Sequence, residues 1–340
     1  MRTRRQFLTT GFSVVAAGIA GAAAAAFTGA RRSVAEEAPP ETTSVRLAKI
    51  PQFTCIAPLD ILDDLLREEG FVDIRYLDGP TDTQEGDLAH GDYDFGQNFI
   101  TSTTFLLDSG IPTLMLAGVH PACLEQRANE SIRSVLDLKG KRVWAADVWD
   151  SSHTMLPIIT ASVGLDPAKD IKWVFDTTRS RKDLFLAGEI DAFMVPPPFA
   201  QELRAENVGH VVLNTALDRP WSQYFCCALI GRVEFVRRNP IATKRVVRAM
   251  MRATDICAAK PDWVAQRLVD RGITPRSDFA RQGLEEVSYR AWRDYDTEDT
   301  VRFYALRLRE IGWIKSSPDK ILAEGTDWRF INEVRKELGI

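Results

Sequence analysis

The chain has 340 residues, enough for one large or two medium domains, and its 45% hydrophobic and 26% charged residues are a globular rather than a disordered balance. Its formal net charge is −4, and the first 35 residues carry five arginines and no acid. Without them Lys+Arg falls from 43 to 38 against 47 Asp+Glu, a balance of about −9 that gives no electrostatic footprint for a nucleic-acid partner.

Residues 1–35 have the grammar of an export signal: a basic start, a long small-residue apolar run and a Ser33-Val34-Ala35 end. Thr3-Arg4-Arg5-Gln6-Phe7-Leu8 resembles the twin-arginine (Tat) consensus, which implies export of a folded protein by the Tat translocon. Alanine and glycine dominate the run, whereas membrane insertion favours Leu, Ile, Phe and Val. Cleavage after Ala35 is therefore expected over a retained anchor, and a periplasmic location follows. No Leu-x-x-Cys follows the run to receive a lipid.

After a linker at 36–43, residues 44–50 alternate as a strand, and Pro58 opens a helix that Gly70 closes. Residues 72–77 alternate again, with Val72, Ile74 and Tyr76 on one side. A short helix is predicted at 84–91, a strand at 92–96, and a buried strand at 111–119 after a Gly-Ile-Pro turn. This β-α-β-α-β order predicts a mainly parallel sheet covered by helices. The same order restarts: helix, basic turn and strand over 134–146, a helix at 155–165, a strand at 171–175, a helix at 179–188 and a strand at 189–195.

The restart carries a small repeat. Gly91-Asp92-Tyr93-Asp94-Phe95 and Gly188-Glu189-Ile190-Asp191-Ala192-Phe193 share a helix-ending glycine, an acid, an apolar residue and an aspartate entering a strand. Two similar lobes are the expectation. From Asn239-Pro240 onward the pattern is helical, with Ile241, Val247, Met250, Met251 and Cys257 on one stripe and further helices at 261–271, 277–292, 297–312 and 326–338. The Met pair reads as core filler.

Cys55, Cys123, Cys226, Cys227 and Cys257 are an odd, scattered set and no disulfide framework. Most read as buried small apolar residues. The histidines at 90, 120, 153 and 210 lack metal-ligand spacing, so no metal is expected.

The segments DLKGKRVWAA, LAGEIDAFMV, EFVRRNPIATKRVVRAMMRAT with AAKPDWVAQRL, and DTEDTVRFYALRLREIGWI with DWRFINEVRKELG occur in an order and spacing that resembles one known family. It is the substrate-binding proteins of ABC transporters for nitrate, sulfonate, taurine and thiamine precursors (SsuA/ThiY-like), over roughly residues 44–340. The resemblance implies a type II periplasmic binding protein fold, with two α/β lobes, two inter-lobe crossings and a ligand cleft. The crossings are expected near 119–125 and 220–227. Lobe 1 then comprises 44–122 and 223–340, and lobe 2 comprises 123–222. The implied function is capture of a small organic anion or heteroaromatic ligand by hinge closure, and delivery to an inner-membrane permease. A monomer with no enzymatic activity and no cofactor is implied. A periplasmic ligand sensor is an alternative. Fungal thiamine-pyrimidine synthases share the family's fold and carry a CCCFC motif; YFCCALIG matches it only in part, and the loop PQFTCIA lacks a lysine for pyridoxal phosphate.

In open α/β sheets ligands settle at the carboxyl ends of strands. The candidate residues there are Gln52, Phe53 and Thr54 after the first strand, and Gln97 and Asn98 after the strand at 92–96, where Asn98 is equally a natural N-cap. His120 stands at the first crossing. Pro197 and Phe199 belong to the rigid turn MVPPPFA, and Trp221 and Tyr224 stand at the second crossing. Finally, AADVWDSSHTM (145–155) gathers two aspartates, two serines and a histidine. Thr154 as N-cap puts Pro157 in a helix's first turn and leaves Trp149, Ser151, Ser152 and His153 in the loop ahead. Free N–H groups at that helix end suit an anion. Neighbours on one loop diverge, and no Gly-x-Ser-x-Gly elbow is present, so ligand binding is expected rather than a catalytic triad.

Overall fold

The computed structural model describes residues 37–49, 53–77, 93–148 and 150–340, and residues 40–340 form one compact unit. The export signal, the helix at 84–91, Gly91 of the repeat, Gln52 and Trp149 lie outside the described residues. Among those described, no helix is long and apolar enough to cross a membrane.

Two five-stranded sheets organise the fold. The first has β1 (Ser44–Ala48), β2 (Asp73–Leu77), β3 (Phe95–Phe99) and β4 (Thr113–Pro121), and the second β5 (Glu125–Ala128), β6 (Arg142–Trp144), β7 (Lys172–Val174), β8 (Ala192–Val195) and β9 (His210–Asn214). The chain then returns as β10 (Phe225–Arg232). The strand orders are β2-β1-β3-β10-β4 and β7-β6-β8-β5-β9. In each sheet the first three strands run parallel and the fourth runs antiparallel. The antiparallel strand is in each case the first one laid down after the chain changes sheet, through residues 122–124 or 215–224. Such alternation of strand and helix is the expected α/β class.

The repeat seen in the sequence has a physical counterpart. Asp94 donates its amide to the Arg46 carbonyl at 2.8 Å. Its carboxylate accepts from the Arg46 amide at 2.9 Å and from that guanidinium at 3.2 and 2.6 Å. Asp191 and Arg142 repeat every one of these bonds: amide to carbonyl at 2.8 Å, then 2.8, 3.1 and 2.8 Å to the carboxylate. One carboxylate thus pins the entry of the third parallel strand to its neighbour with charge-assisted bonds, once in each sheet.

β4 and most of β10 are buried, as strands with both faces covered must be. The helix Pro240–Ala259 starts with Pro at its first position as expected, and Met250 and Met251 lie in the core. It packs on helices Ala57–Asp60, Leu62–Glu68 and Arg329–Leu338.

Two local expectations fail. The strand expected at 92–96 lies at Phe95–Phe99, so Asn98 is a strand residue. Phe99 holds the N-cap position of helix Ile100–Asp108, and Asn98 Oδ1 only accepts from the Phe99 amide at 2.8 Å. Helix Ser151–Ser162 begins earlier than Thr154, because Asp150 caps it: its carboxylate accepts from the Ser152 amide at 2.8 Å. The Asp150 carbonyl then takes the amides of His153 and Thr154. Pro157 consequently sits inside the helix, not in its first turn.

Candidate functional site

The two sheets meet through loops at the carboxyl ends of their strands. After β1, the Thr54 amide donates to the Pro197 carbonyl after β8 at 3.1 Å, and Phe53 meets Phe199 edge to face at 6.1 Å. Gly283, on helix Ser277–Glu286, closes the same junction. A Cβ there would lie 2.8 Å from both Pro197 Cβ and Thr54 Oγ1, so only glycine fits without a shift. Beside it, Glu286 accepts from Gln201 at 2.9 Å and from Arg204 at 2.5 Å. Four of the expected residues, Phe53, Thr54, Pro197 and Phe199, therefore come together.

Behind this junction the first turns of helices Ile100–Asp108 and Ser151–Ser162 touch. Thr154 Oγ1 lies 3.0 Å from Thr101 Oγ1 and 3.1 Å from Ser102 Oγ, all three buried. The void next to them, lined in part by Thr101, Thr215 and Tyr304, measures about 10 Å³. That is room for about one water and for no organic solute.

A larger cavity of about 390 Å³ opens on the second sheet. Trp144 and Ala146 at the end of β6, Val195 at the end of β8, Phe199, Thr177 and Arg181 line it. The Arg181 guanidinium lies 4.5 Å over the Trp144 ring and donates to the Met194 carbonyl at 2.8 Å. Two other cations at the rim are neutralised: Arg179 bonds Glu189 at 2.7 and 2.6 Å, and Lys182 pairs with Glu202 and Glu206. Among the described residues no carboxylate comes within ion-pair distance of Arg181. Burial pushes its pKa down, while the more distant Asp150 pushes it up. A planar cation stacked on an indole at the wall of a mostly apolar cavity is suited to a small organic anion. Neither Trp144 nor Arg181 was among the expected site residues. The available signal was an arginine one residue past Ser180, the N-cap that follows β7.

The stretch 145–155 behaves differently from its expectation. Ser151, Ser152 and His153 lie within the helix, and the Asp150 carboxylate already occupies the Ser152 amide that an anion would use. His153 Nδ1 bonds the Val148 carbonyl at 3.1 Å, and its ring is packed among Trp173, Phe175 and Trp313 at 4.7, 5.2 and 4.4 Å. Burial lowers its pKa. The histidine is an aromatic packing residue and no serine's base.

The remaining expected residues serve the core. Gln97 is buried and donates to the Cys55 carbonyl at 2.9 Å, and Asn98 is buried in β3. Trp221 is buried, and Tyr224 stacks on Phe303 at 3.9 Å and 9°. His120 has no exposure at all. Its Nδ1 bonds the Pro121 carbonyl at 2.6 Å. The five cysteines are free and buried, as expected of most of them. Three of these residues, Cys55, His120 and Cys123, place their sulfur and nitrogen atoms within 4.8 Å of one another. The absence of metal-ligand spacing along the chain could not reveal this grouping.

Residues 126–268 match the NMT1-like family. A binding protein of Brucella abortus is 29% identical over 136 residues, which take in 40% of this chain and 42% of that protein. The match thus spans about two fifths of the relative's length. Among solved structures, the periplasmic nitrate-binding protein NrtA of Synechocystis PCC 6803 superposes with a TM-score of 0.74 at 17% identity, over 88% of this chain and 90% of its own. The alkanesulfonate-binding protein SsuA of Xanthomonas axonopodis pv. citri, bound to MOPS, gives 0.65 at 16% identity, over 81% of this chain and 96% of its own. The chain carries the NMT1-like family pattern over residues 126–268, on the fold of the periplasmic binding proteins.

Proposed function

We propose that this protein is the solute-binding component of an ABC importer, exported through the Tat translocon, cleaved after Ala35 and working as a periplasmic monomer without enzymatic activity or cofactor. Residues 44–122 and 223–340 form one lobe and 123–222 the other. A small organic anion enters between them, and the lobes hold it by closing about 122–124 and 215–224. A membrane permease then receives it.

The observation that carries this reading is Arg181. It is a half-buried guanidinium on Trp144, without a close carboxylate among the described residues, facing a 390 Å³ cavity beside the inter-sheet junction. A sulfonate or carboxylate there gains the charge-assisted bonds the protein leaves unmade. The names of the relatives, which include nitrate and alkanesulfonate binders, support the same class of ligand. Isothermal titration against sulfonates, carboxylates, nitrate and pyrimidines tests it. Binding by at least one anion and loss of that binding in Arg181→Ala are expected; silence across the whole panel sinks the reading.

A further inference from the structure

The first crossing between the sheets passes through a pocket of thiols. Cys123 lies in the crossing 122–124, His120 is next to the end of β4, Cys55 comes from the turn after β1, and Cys226 is the second residue of β10. All four are buried, with Cys55 and His120 showing no exposure. We propose that Cys55, His120 and Cys123 bind one thiophilic d10 metal ion, Zn²⁺ or Cu⁺, with Cys226 closing the coordination shell.

Three independent features carry the assignment. The first is distance. The ligand atoms of Cys55, His120 and Cys123 lie within 4.8 Å of one another, and Cys123 Sγ is 3.7 Å from Cys226 Sγ. A metal with sulfur ligands at about 2.3 Å in a tetrahedron holds its sulfurs about 3.8 Å apart, whereas a disulfide needs about 2.05 Å.

The second is the histidine tautomer. A carbonyl oxygen only accepts, so the 2.6 Å contact with Pro121 means that Nδ1 carries the hydrogen. Nε2 is then the lone-pair nitrogen, and it is buried with no hydrogen-bond partner. A ring anchored by Nδ1–H on a backbone carbonyl, with Nε2 left bare, is the arrangement that orients a histidine ligand toward a metal. Without one, the group facing that nitrogen is the Cys55 thiol, a weak donor.

The third is ligand chemistry. Thiolates with one imidazole select soft ions over hard oxygen-seeking ones such as Mg²⁺. Binding of Zn²⁺ by Cys55, Cys123 and Cys226 displaces their three thiol protons to solvent and leaves His120 neutral, so the site carries one net negative charge.

Both crossings would be tied by this ion, one through Cys123 and the other through the start of β10 at Cys226. The site therefore sits at the hinge rather than in the solute cavity, and its occupancy is measurable without any solute.

The test uses the mature chain purified under reducing, anaerobic conditions. Elemental analysis is followed by separate titrations with Zn²⁺ and Cu⁺ against a competing chelator. One equivalent of one of these ions is expected, with X-ray absorption showing sulfur at about 2.3 Å and nitrogen at about 2.0 Å. Cys55→Ser and His120→Ala should each weaken binding by at least 10-fold, while Cys257→Ser, a buried cysteine outside the cluster, should leave it unchanged. Should the cluster variants fold poorly, the wild-type absorption spectrum decides alone, since oxygen-only coordination removes the proposal. Failure of both ions to bind stoichiometrically overturns it. So does a Cys123–Cys226 disulfide in the native protein, read as a mass deficit of two hydrogens.

Discussion

The amide of Thr54 donates to the carbonyl of Pro197, so the loop after the first strand of one sheet is bonded to the loop after the third parallel strand of the other. Gly283 lies against both residues. A side chain there must separate them, and overpacking of this kind costs about 1–3 kcal/mol. Gly283→Val should weaken solute binding about 10-fold, since each 1.4 kcal/mol is a decade in Kd. It should also expand the molecule in small-angle scattering. A variant with unchanged scattering and unchanged affinity would show that this contact has no part in closure.

Arg181 is the side chain on which anion recognition rests. Arg181→Ala should reduce affinity for the bound anion at least 30-fold, about 2 kcal/mol, the scale of losing hydrogen bonds to a charged group. Arg181→Lys should recover little of it, because an ammonium neither stacks on Trp144 nor bonds in a fork. Calorimetry on the three proteins decides; full recovery by lysine would reduce the role of Arg181 to charge alone.

Asp150 caps helix Ser151–Ser162 and lies near Arg181. Asp150→Ala should cost about 1 kcal/mol of stability as a lost N-cap, yet raise anion affinity by removing a more distant negative charge whose field opposes an incoming anion. A fall in both quantities would place Asp150 in direct contact with the solute instead.

Asp60 is buried, its Oδ2 has no hydrogen-bond partner, and burial raises its pKa well above the carboxylate range, with Arg271 only partly opposing. A raised folded pKa means that the native state holds the proton more tightly than the unfolded chain. Stability is therefore greatest below the unfolded carboxylate pKa, and it falls as pH rises toward the folded value. Asp60→Asn should flatten this slope and raise the midpoint at neutral pH, by about 2 °C or more for each kcal/mol recovered. Thermal melts from pH 4 to 8 read it directly, and parallel curves for both proteins would contradict the sign.

The matched pairs Arg46–Asp94 and Arg142–Asp191 predict matched losses. Asp94→Asn and Asp191→Asn should each cost about 1–3 kcal/mol, the price of weakened charge-assisted bonds. Lying in different sheets, the two should add within about 0.5 kcal/mol in the double variant. Denaturant unfolding of the four proteins measures this.

The alternation of strands and helices along the chain, the repeat and most of the C-terminal helices were legible because periodicity and glycine stops are local, whereas β5, β9 and helix Pro318–Gly325 were not expected. The Asp94 and Asp191 correspondence could be read from spacing because a strand entry repeats its chemistry in sequence. The start of helix Ser151–Ser162 was misplaced because two capping residues compete, and Pro157 was weighed as a boundary when the fold accepts it inside. Gln97, Asn98 and His120 lie at or near strand ends as expected, but they are turned into the core by partners 40 or more residues away or by burial that no local pattern encodes. The grouping of Cys55, His120 and Cys123 is likewise a product of tertiary approach alone.

In the first sheet β3 and β4 do not pair with each other; each pairs with β10. During synthesis, β4 therefore has no neighbour in its own sheet until residue 232 has emerged, whereas β5 to β9 are contiguous in the chain and complete their sheet without outside strands. The order of assembly is thus written into the connectivity: the inserted half closes first, and the half that contains the beginning of the chain is the last to be finished. A chain stalled so that Asn214 but not Phe225 has emerged from the ribosome should protect 125–214 from proteolysis and leave 113–121 open to it.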